Sequence, residues 1–472
     1  MQKNEYKKAS VFYLIGNLFN KGFAFLTVPV FTRILSTTDY GIVTTYNSWI
    51  GILSMVMGFA IYMGIRAAFI DYTEYVDDFV SVSTTFTLIS GGIMCFFIGG
   101  GVYLLRINVN LTLVVLCLLQ GLASALIQNY SMYLMMQYRY RFRTALMILP
   151  NLLSVVASII AILFVVKTNL YMGRIVPTAL ITVAFGLITV VLVYAKSKML
   201  FNWVYLKYAL AISLPLVLHG IALNILSQSD RTMITWLADA SQTGIYSLIY
   251  NFSMIATVLT TSLDGVWVPW FTEKLKIRDL KSINTLARDY ISLMTYAMVG
   301  IMMVGPEIVK LLASSKYWEG IGIIPPVVLA NYIIFAYTLY VNIEHFYKKT
   351  PYITLNTVIA AGLNLILNYI FIPRYGYMAA AYTTLVSYFI AFILHAHYAK
   401  NLEPEVYPLR SFVRPLAHIL MTIVIYYIFL DKWCIRWGLL GVYIVLMLIK
   451  EWNKIVIFIP ALGKISNGER KK

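Results

Sequence analysis

The chain has 472 residues, of which 60% are hydrophobic and 12% charged, with a mean hydropathy of +0.77. That composition excludes an ordinary soluble globular protein and marks a polytopic membrane protein. The 37 lysines and arginines against 20 acids leave a net charge of +17; with no nucleic-acid motif beside it, the excess reads as loop orientation rather than an RNA or DNA partner.

Taken in chain order, apolar segments long enough to cross roughly 30 Å of hydrocarbon fall near 10–32, 42–63, 79–104, 110–134, 145–166, 172–194, 207–229, 244–268, 287–311, 322–343, 352–372, 377–396, 411–430 and 435–450. They predict an all-α fold of about 14 transmembrane helices. The first segment carries Lys21 and lacks a small-residue cleavage site, so it reads as a retained span rather than a signal peptide. With the N-terminus inside, most lysines and arginines gather on inner connections, Lys7, Lys8, Arg139, Arg141 and Lys348 among them. This predicts both termini on the cytoplasmic side of a cell inner membrane. Residues 452–462 read as an interfacial amphipathic tail. Cys95, Cys117 and Cys434 have no metal-like spacing and read as small hydrophobes.

Residues 32–42, TRILSTTDYGI, realign with 235–245, TWLADASQTGI, at a constant offset of 203. A repeat displaced by six spans has the same topology in both halves, which predicts two six-helix lobes related by a pseudo-twofold axis along the membrane normal. The expected division is an N-lobe over 1–200 (spans 1–6), a C-lobe over 201–400 (spans 7–12), and two additional spans with a basic tail over 401–472.

Within the spans, Asn17, Asn20, Lys21 and Ala24 share one helical face. A mid-span lysine costs roughly 2.5–3.5 kcal/mol on insertion scales, which favours a polar cavity over a paired packing residue. His219 follows Pro215 and is either a protonatable cavity group or a satisfied core histidine. Asp230 and Arg231 are either site residues or solvent-exposed groups at the outer end of span 7. Asp264 is either a coupling-ion site or an ion-pair partner for Lys274 or Lys276. Arg33 and Arg66 suit phosphate groups at the two mouths, or interfacial anchoring. Gln120, Ser124 and Gln128 read as interhelical glue, residues 137–143 as a basic strip for anionic headgroups, and Asp71, Glu74, Asp77 and Asp78 as a solvated acidic loop. The chain has no Walker A sequence, GxSxG or HExxH, so neither ATP hydrolysis nor a resident cofactor or metal is expected.

The opening NLFNKGFAFLTVPVFTRILSTTDYGIVTTYNSW resembles the polysaccharide-export branch of the multidrug/oligosaccharidyl-lipid/polysaccharide exporter superfamily, through Pro29, Arg33-Ile34-Leu35, Asp39 and Tyr40-Gly41. Residues 229–250 are similar to that family's second-lobe start through Asp230-Arg231 and Gly244-Ile245-Tyr246. The resemblance implies two helical bundles around a cavity lined by spans 1, 2, 7 and 8, with Lys21, Arg66 and Arg231 meeting the diphosphate of a polyprenyl carrier. It also implies alternating access coupled to Na+ or H+.

The expected function is a flippase moving polyprenyl-diphosphate-linked oligosaccharide from the cytoplasmic to the outer leaflet, for O-antigen, capsule or exopolysaccharide. The substrate cavity is expected at Asn17, Asn20, Lys21, Arg33, Arg66 and Arg231, and ion coupling at His219, Asp230 or Asp264. A polysaccharide polymerase and chain-length machinery are the expected partners. A drug or cation exporter on the same fold calls for an acidic site, whereas here a lysine leads the intramembrane charge. An O-antigen polymerase or lipid-dependent glycosyltransferase calls for a long outer loop that the chain lacks.

Overall fold

A chain in hydrocarbon must satisfy its backbone amides internally, and among the described residues every span is helical and no strand occurs. The computed structural model describes residue 23 and residues 26–468 apart from Asn108 and Met254, with all side chains but those of 218, 219, 262 and 453–468. Asn17, Asn20, Lys21 and Ala24, expected to share a cavity face, therefore lie outside the described residues. Residues 26–34 form α1. There follow α2 (Thr37–Gly58), α3 (Tyr62–Asp71), α4 (Val76–Leu104), α5 (Leu111–Met136), α6 (Tyr140–Ile160), α7 (Leu170–Tyr194), α8 (Trp203–Leu237), α9 (Ala240–Ser253), α10 (Ile255–Lys276), α11 (Leu280–Leu312), α12 (Ile324–Phe346), α13 (Thr350–Leu402), α14 (Arg410–Ile428) and α15 (Trp433–Gly468). Among the described residues 11 helices are long and apolar enough to cross a membrane, or 12 counting α2 and α3 as one span bent by 41°.

Local chemistry sets the boundaries. Ser36 caps α2 in a reciprocal box: its hydroxyl accepts from the Asp39 amide at 3.0 Å, and Asp39 accepts from the Ser36 amide at 3.3 Å. Two left-handed residues, Phe59 and Ala60, break α2 from α3. Asn110 and Asn202 cap α5 and α8. The 53 residues of α13 would reach about 80 Å at 1.5 Å per residue, far more than one span needs. They are two helices meeting at Gly376, where φ is +57° and a Cβ would lie 1.9 Å from Gln242 Oε1. The joint sits between the expected spans 352–372 and 377–396. The tail expected as an amphipathic helix is helical and continues α15 without a backbone break.

The chain divides into two compact units, Met1–Met254 with Lys310–Pro404, and Ile255–Val309 with Glu405–Lys472. The first has an aromatic and aliphatic core including Phe79, Tyr133 and Ile65. Its acidic loop is more engaged than a solvated one. Asp71 accepts from Tyr208, Asp77 from Tyr133, and Asp78 from Ser197 at 2.5 Å. Lys196 donates to the same Tyr133, and burial lowers the affinity of its ammonium for the proton while Asp77 raises it. Gln120 accepts from Tyr46 at 2.8 Å, a helix-to-helix bond of the expected kind. In the second unit the last two helices pack on α11. Fully buried Arg436 donates to the carbonyls of Met303 at 2.7 Å and Phe429 at 3.1 Å, and to the Glu307 carboxylate.

Candidate functional site

Both copies of the sequence repeat lie in the first unit, and they meet. Asp239 occupies the position of Ser36 and caps α9 as Ser36 caps α2, accepting from the Gln242 amide at 2.8 Å. The two helices then cross at their glycines. A Cβ on Gly41 would fall 1.7 Å from the Ala240 carbonyl oxygen, and one on Gly244 would fall 2.1 Å from that of Thr37. One turn on, Thr44 and Ser247, themselves 203 residues apart, join their hydroxyls at 3.0 Å. Equivalent residues touching each other mark a twofold relation at this crossing, as in an isologous contact.

The crossing backs onto a polar stripe of α8. Thr45 bonds Thr235 at 2.7 Å, and Ser48 donates to Gln228 at 3.4 Å. Asp230 and Arg231 follow, 0% and 3% exposed, so the solvent-exposed reading of this pair does not hold. Adjacent on one helix, they point about 100° apart and serve different neighbours. Asp230 faces α13 and α9: its carboxylate accepts from Asn368 Nδ2 at 2.7 Å, Thr384 at 2.8 Å and Tyr246 at 2.5 Å. Asn368 bonds Asn364 at 3.1 Å and accepts from Thr383, and Ser229 donates to Asn364 at 3.3 Å. Arg231 faces α9: it donates to the Ser227 carbonyl at 3.0 Å, Gln228 at 2.8 Å and Asn251 at 3.4 Å, with its guanidinium 4.8 Å from the Tyr250 ring centre. Desolvating a carboxylate costs several kcal/mol, which charge-assisted bonds of about 1.5–3 kcal/mol each offset.

The other expected site residues are not joined to this centre. Arg33 is exposed at the end of α1 and donates to the Leu311 carbonyl at 3.3 Å. Arg66 is exposed on α3. His219 lies within α8, and its side chain is not described. Asp264 belongs to the second unit, where Tyr290 donates to it at 3.2 Å; Lys274 pairs with Asp279 at 3.1 Å instead. Asn364, Asn368, Thr383 and Thr384 were missed by sequence reasoning, although two asparagines one turn apart inside an apolar span are a legible cost. Also missed was a buried pair, His395 Nδ1 at 2.9 Å from Glu344, with the imidazole stacked 5.4 Å from the Tyr337 ring centre. Among the described residues no group of three or more His, Cys, Asp or Glu side chains could hold a metal ion.

Comparison with known proteins adds three findings. The family described as polysaccharide biosynthesis protein matches residues 7–274. Protein 1 of the Lsg locus of Haemophilus influenzae is 22% identical over 283 residues, 58% of this chain and 67% of that protein. Among solved structures, the lipid II flippase MurJ in an inward closed conformation superposes with a TM-score of 0.65 at 17% identity, covering 92% of this chain and all of that one. An inward-facing multidrug resistance MATE transporter of the MOP superfamily superposes with a TM-score of 0.64 at 13% identity, covering 84% of this chain and 98% of that one.

Proposed function

Because the chain belongs to the polysaccharide biosynthesis protein family, a multi-pass membrane family with a MATE- and MurJ-like fold, we propose that it is a flippase for polyprenyl-diphosphate-linked oligosaccharide. It carries the repeat unit from the cytoplasmic to the outer leaflet of the inner membrane by alternating access between N- and C-lobes, with both termini cytoplasmic. The observation that carries this reading is the Asp230–Arg231 centre, a buried carboxylate and a buried guanidinium beside the crossing of the two repeat copies. A sugar diphosphate cannot cross hydrocarbon unaided, and Arg231 supplies positive charge for it at this centre, while the exposed Arg33 and Arg66 are left to meet it elsewhere on its path.

Asp230 is our choice over Asp264 and His219 for the coupling ion. Its carboxylate sits beside the hydroxyl oxygens of Thr384 and Tyr246, hard-oxygen groups suited to Na+, and is equally able to take up a proton. The polymerase that consumes the flipped unit is the partner this role requires.

The test is to delete the gene, extract lipid-linked saccharides, and probe intact spheroplasts with a membrane-impermeant glycosidase. Complete repeat units shielded on the cytoplasmic face are the expected result. Units exposed outside but unpolymerised would move the assignment to the polymerase, and no accumulation would move it to drug export.

A further inference from the structure

In the second unit, α11, α14 and α15 line a half-open cavity of about 540 Å3. Four permanent cations line it: Arg288 on α11, Arg410 and Arg414 one turn apart on α14, and Lys450 on α15. All four side chains are exposed, and among the described residues none forms an ion pair with a carboxylate. The walls are fixed. Asn284 donates to the Glu405 carbonyl at 2.8 Å and accepts from the Tyr407 amide at 2.8 Å, which ties the turn before α14 to α11. His418 bonds Tyr443 at 3.2 Å and ties α14 to α15. Ser292 and Tyr296 form a wall shared with a mainly apolar groove of about 380 Å3, lined by Leu293, Leu440, Ile444 and Leu448 and carrying Asp289 and Glu451 as well, with Tyr296 donating to Glu451 at 3.2 Å.

Four cations converge from three helices on a cavity whose own lining has no carboxylate, Asp289 and Glu451 belonging to the adjoining groove; the four repel one another, and the arrangement is relieved by a polyanion. A phosphate fits the arginine forks, and an apolar groove sharing a wall with the cavity suits a ligand that continues as acyl chain. Basic pockets between membrane helices take anionic headgroups. We propose that this cavity is a binding site for an anionic glycerophospholipid, its phosphate held by Arg288, Arg410, Arg414 and Lys450 and one chain laid along the Leu293–Leu448 groove. The lipid is a resident partner, not the molecule being flipped. Its placement in the cytoplasmic leaflet rests on the topology proposed above; the site itself does not.

Native mass spectrometry of the full chain released from nanodiscs tests this with defined probes: cardiolipin, phosphatidylglycerol, phosphatidylcholine, undecaprenyl phosphate and inorganic phosphate. The intact protein is expected to retain cardiolipin or phosphatidylglycerol at least about tenfold over phosphatidylcholine. The Arg410→Gln/Arg414→Gln variant should lose that preference, and Lys450→Gln, on another helix, should weaken it severalfold. Equal retention of charged and zwitterionic lipid, or a preference unchanged in both variants, would overturn the proposal. Displacement of cardiolipin by equimolar undecaprenyl phosphate would reassign the cavity to the carrier lipid, and displacement by millimolar inorganic phosphate to a free anion. Because the readout is lipid retention, a failed flipping assay leaves it standing, and the converse holds.

Discussion

The two copies of the repeat solve the same backbone problem with different charges. Both begin with a side-chain cap, Ser36 in one and Asp239 in the other, and both reach across to start a further helix. Asp39 accepts from the Tyr171 amide at 3.2 Å at the head of α7, and Gln242 accepts from the Tyr377 amide at 3.1 Å where α13 restarts. Both then place a glycine at the crossing. Upstream they diverge: Asp230 and Arg231 of the second copy stand where the first has Thr27 and Val28. The geometry that joins the halves is shared, whereas the buried charge belongs to one of them. A duplicated fold constrains backbone contacts in both copies and leaves side-chain chemistry free to differ.

The strongest way to break the shared part is to fill the crossing. Gly41→Ala and Gly244→Ala each drive a Cβ into a backbone carbonyl, which cannot rotate away. Overpacking of this kind costs about 1–3 kcal/mol or more. The two variants should lose thermal stability to a similar degree, and a large drop for only one would dissolve the twofold comparison. Next in size is the unshared charge. Asp230→Asn should bring polysaccharide export down to the background of the deletion strain while the protein still inserts, whereas Thr27→Val should export normally; export surviving in Asp230→Asn would remove the coupling role.

If the proposed alternating access works by parting this crossing, locking it should stop export. In a cysteine-free background, Thr44→Cys with Ser247→Cys should form a disulfide that arrests export until reductant is added. Export unaffected by a formed bond would place the moving contact elsewhere. Smaller still, Arg231→Lys offers one ammonium where a guanidinium now holds Ser227, Gln228 and Asn251, and should export at a level between wild type and Asp230→Asn. The smallest effect belongs to the caps: Ser36→Ala and Asp239→Ala should each cost about 1 kcal/mol, measured as melting temperature, with export retained.

The repeat was legible because capping and glycine spacing are local: Ser36-x-x-Asp39 and Asp239-x-x-Gln242 announce a helix start whatever surrounds them. Asp230 was legible as a charge in a span, but its exposure was not, since the same residue at a helix end can face water or protein. Asn364 and Asn368, one turn apart in an apolar stretch, show a cost in the sequence but not the partner that meets it. Only their pairing across helices gives them a role.

The sequence by itself determined that this is an all-helical multi-pass membrane protein and that the segment from 32 recurs from 235, because hydropathy, caps and turns act over a few residues. The tertiary structure alone decided which polar groups share a site. Asp230 bonds Asn368 and Thr384, 138 and 154 residues away, once the kink at Gly376 folds the two halves of α13 back onto α8 and α9. Desolvation makes such partnership obligatory for a buried carboxylate, but nothing local in the chain says which distant oxygen or amide will supply it.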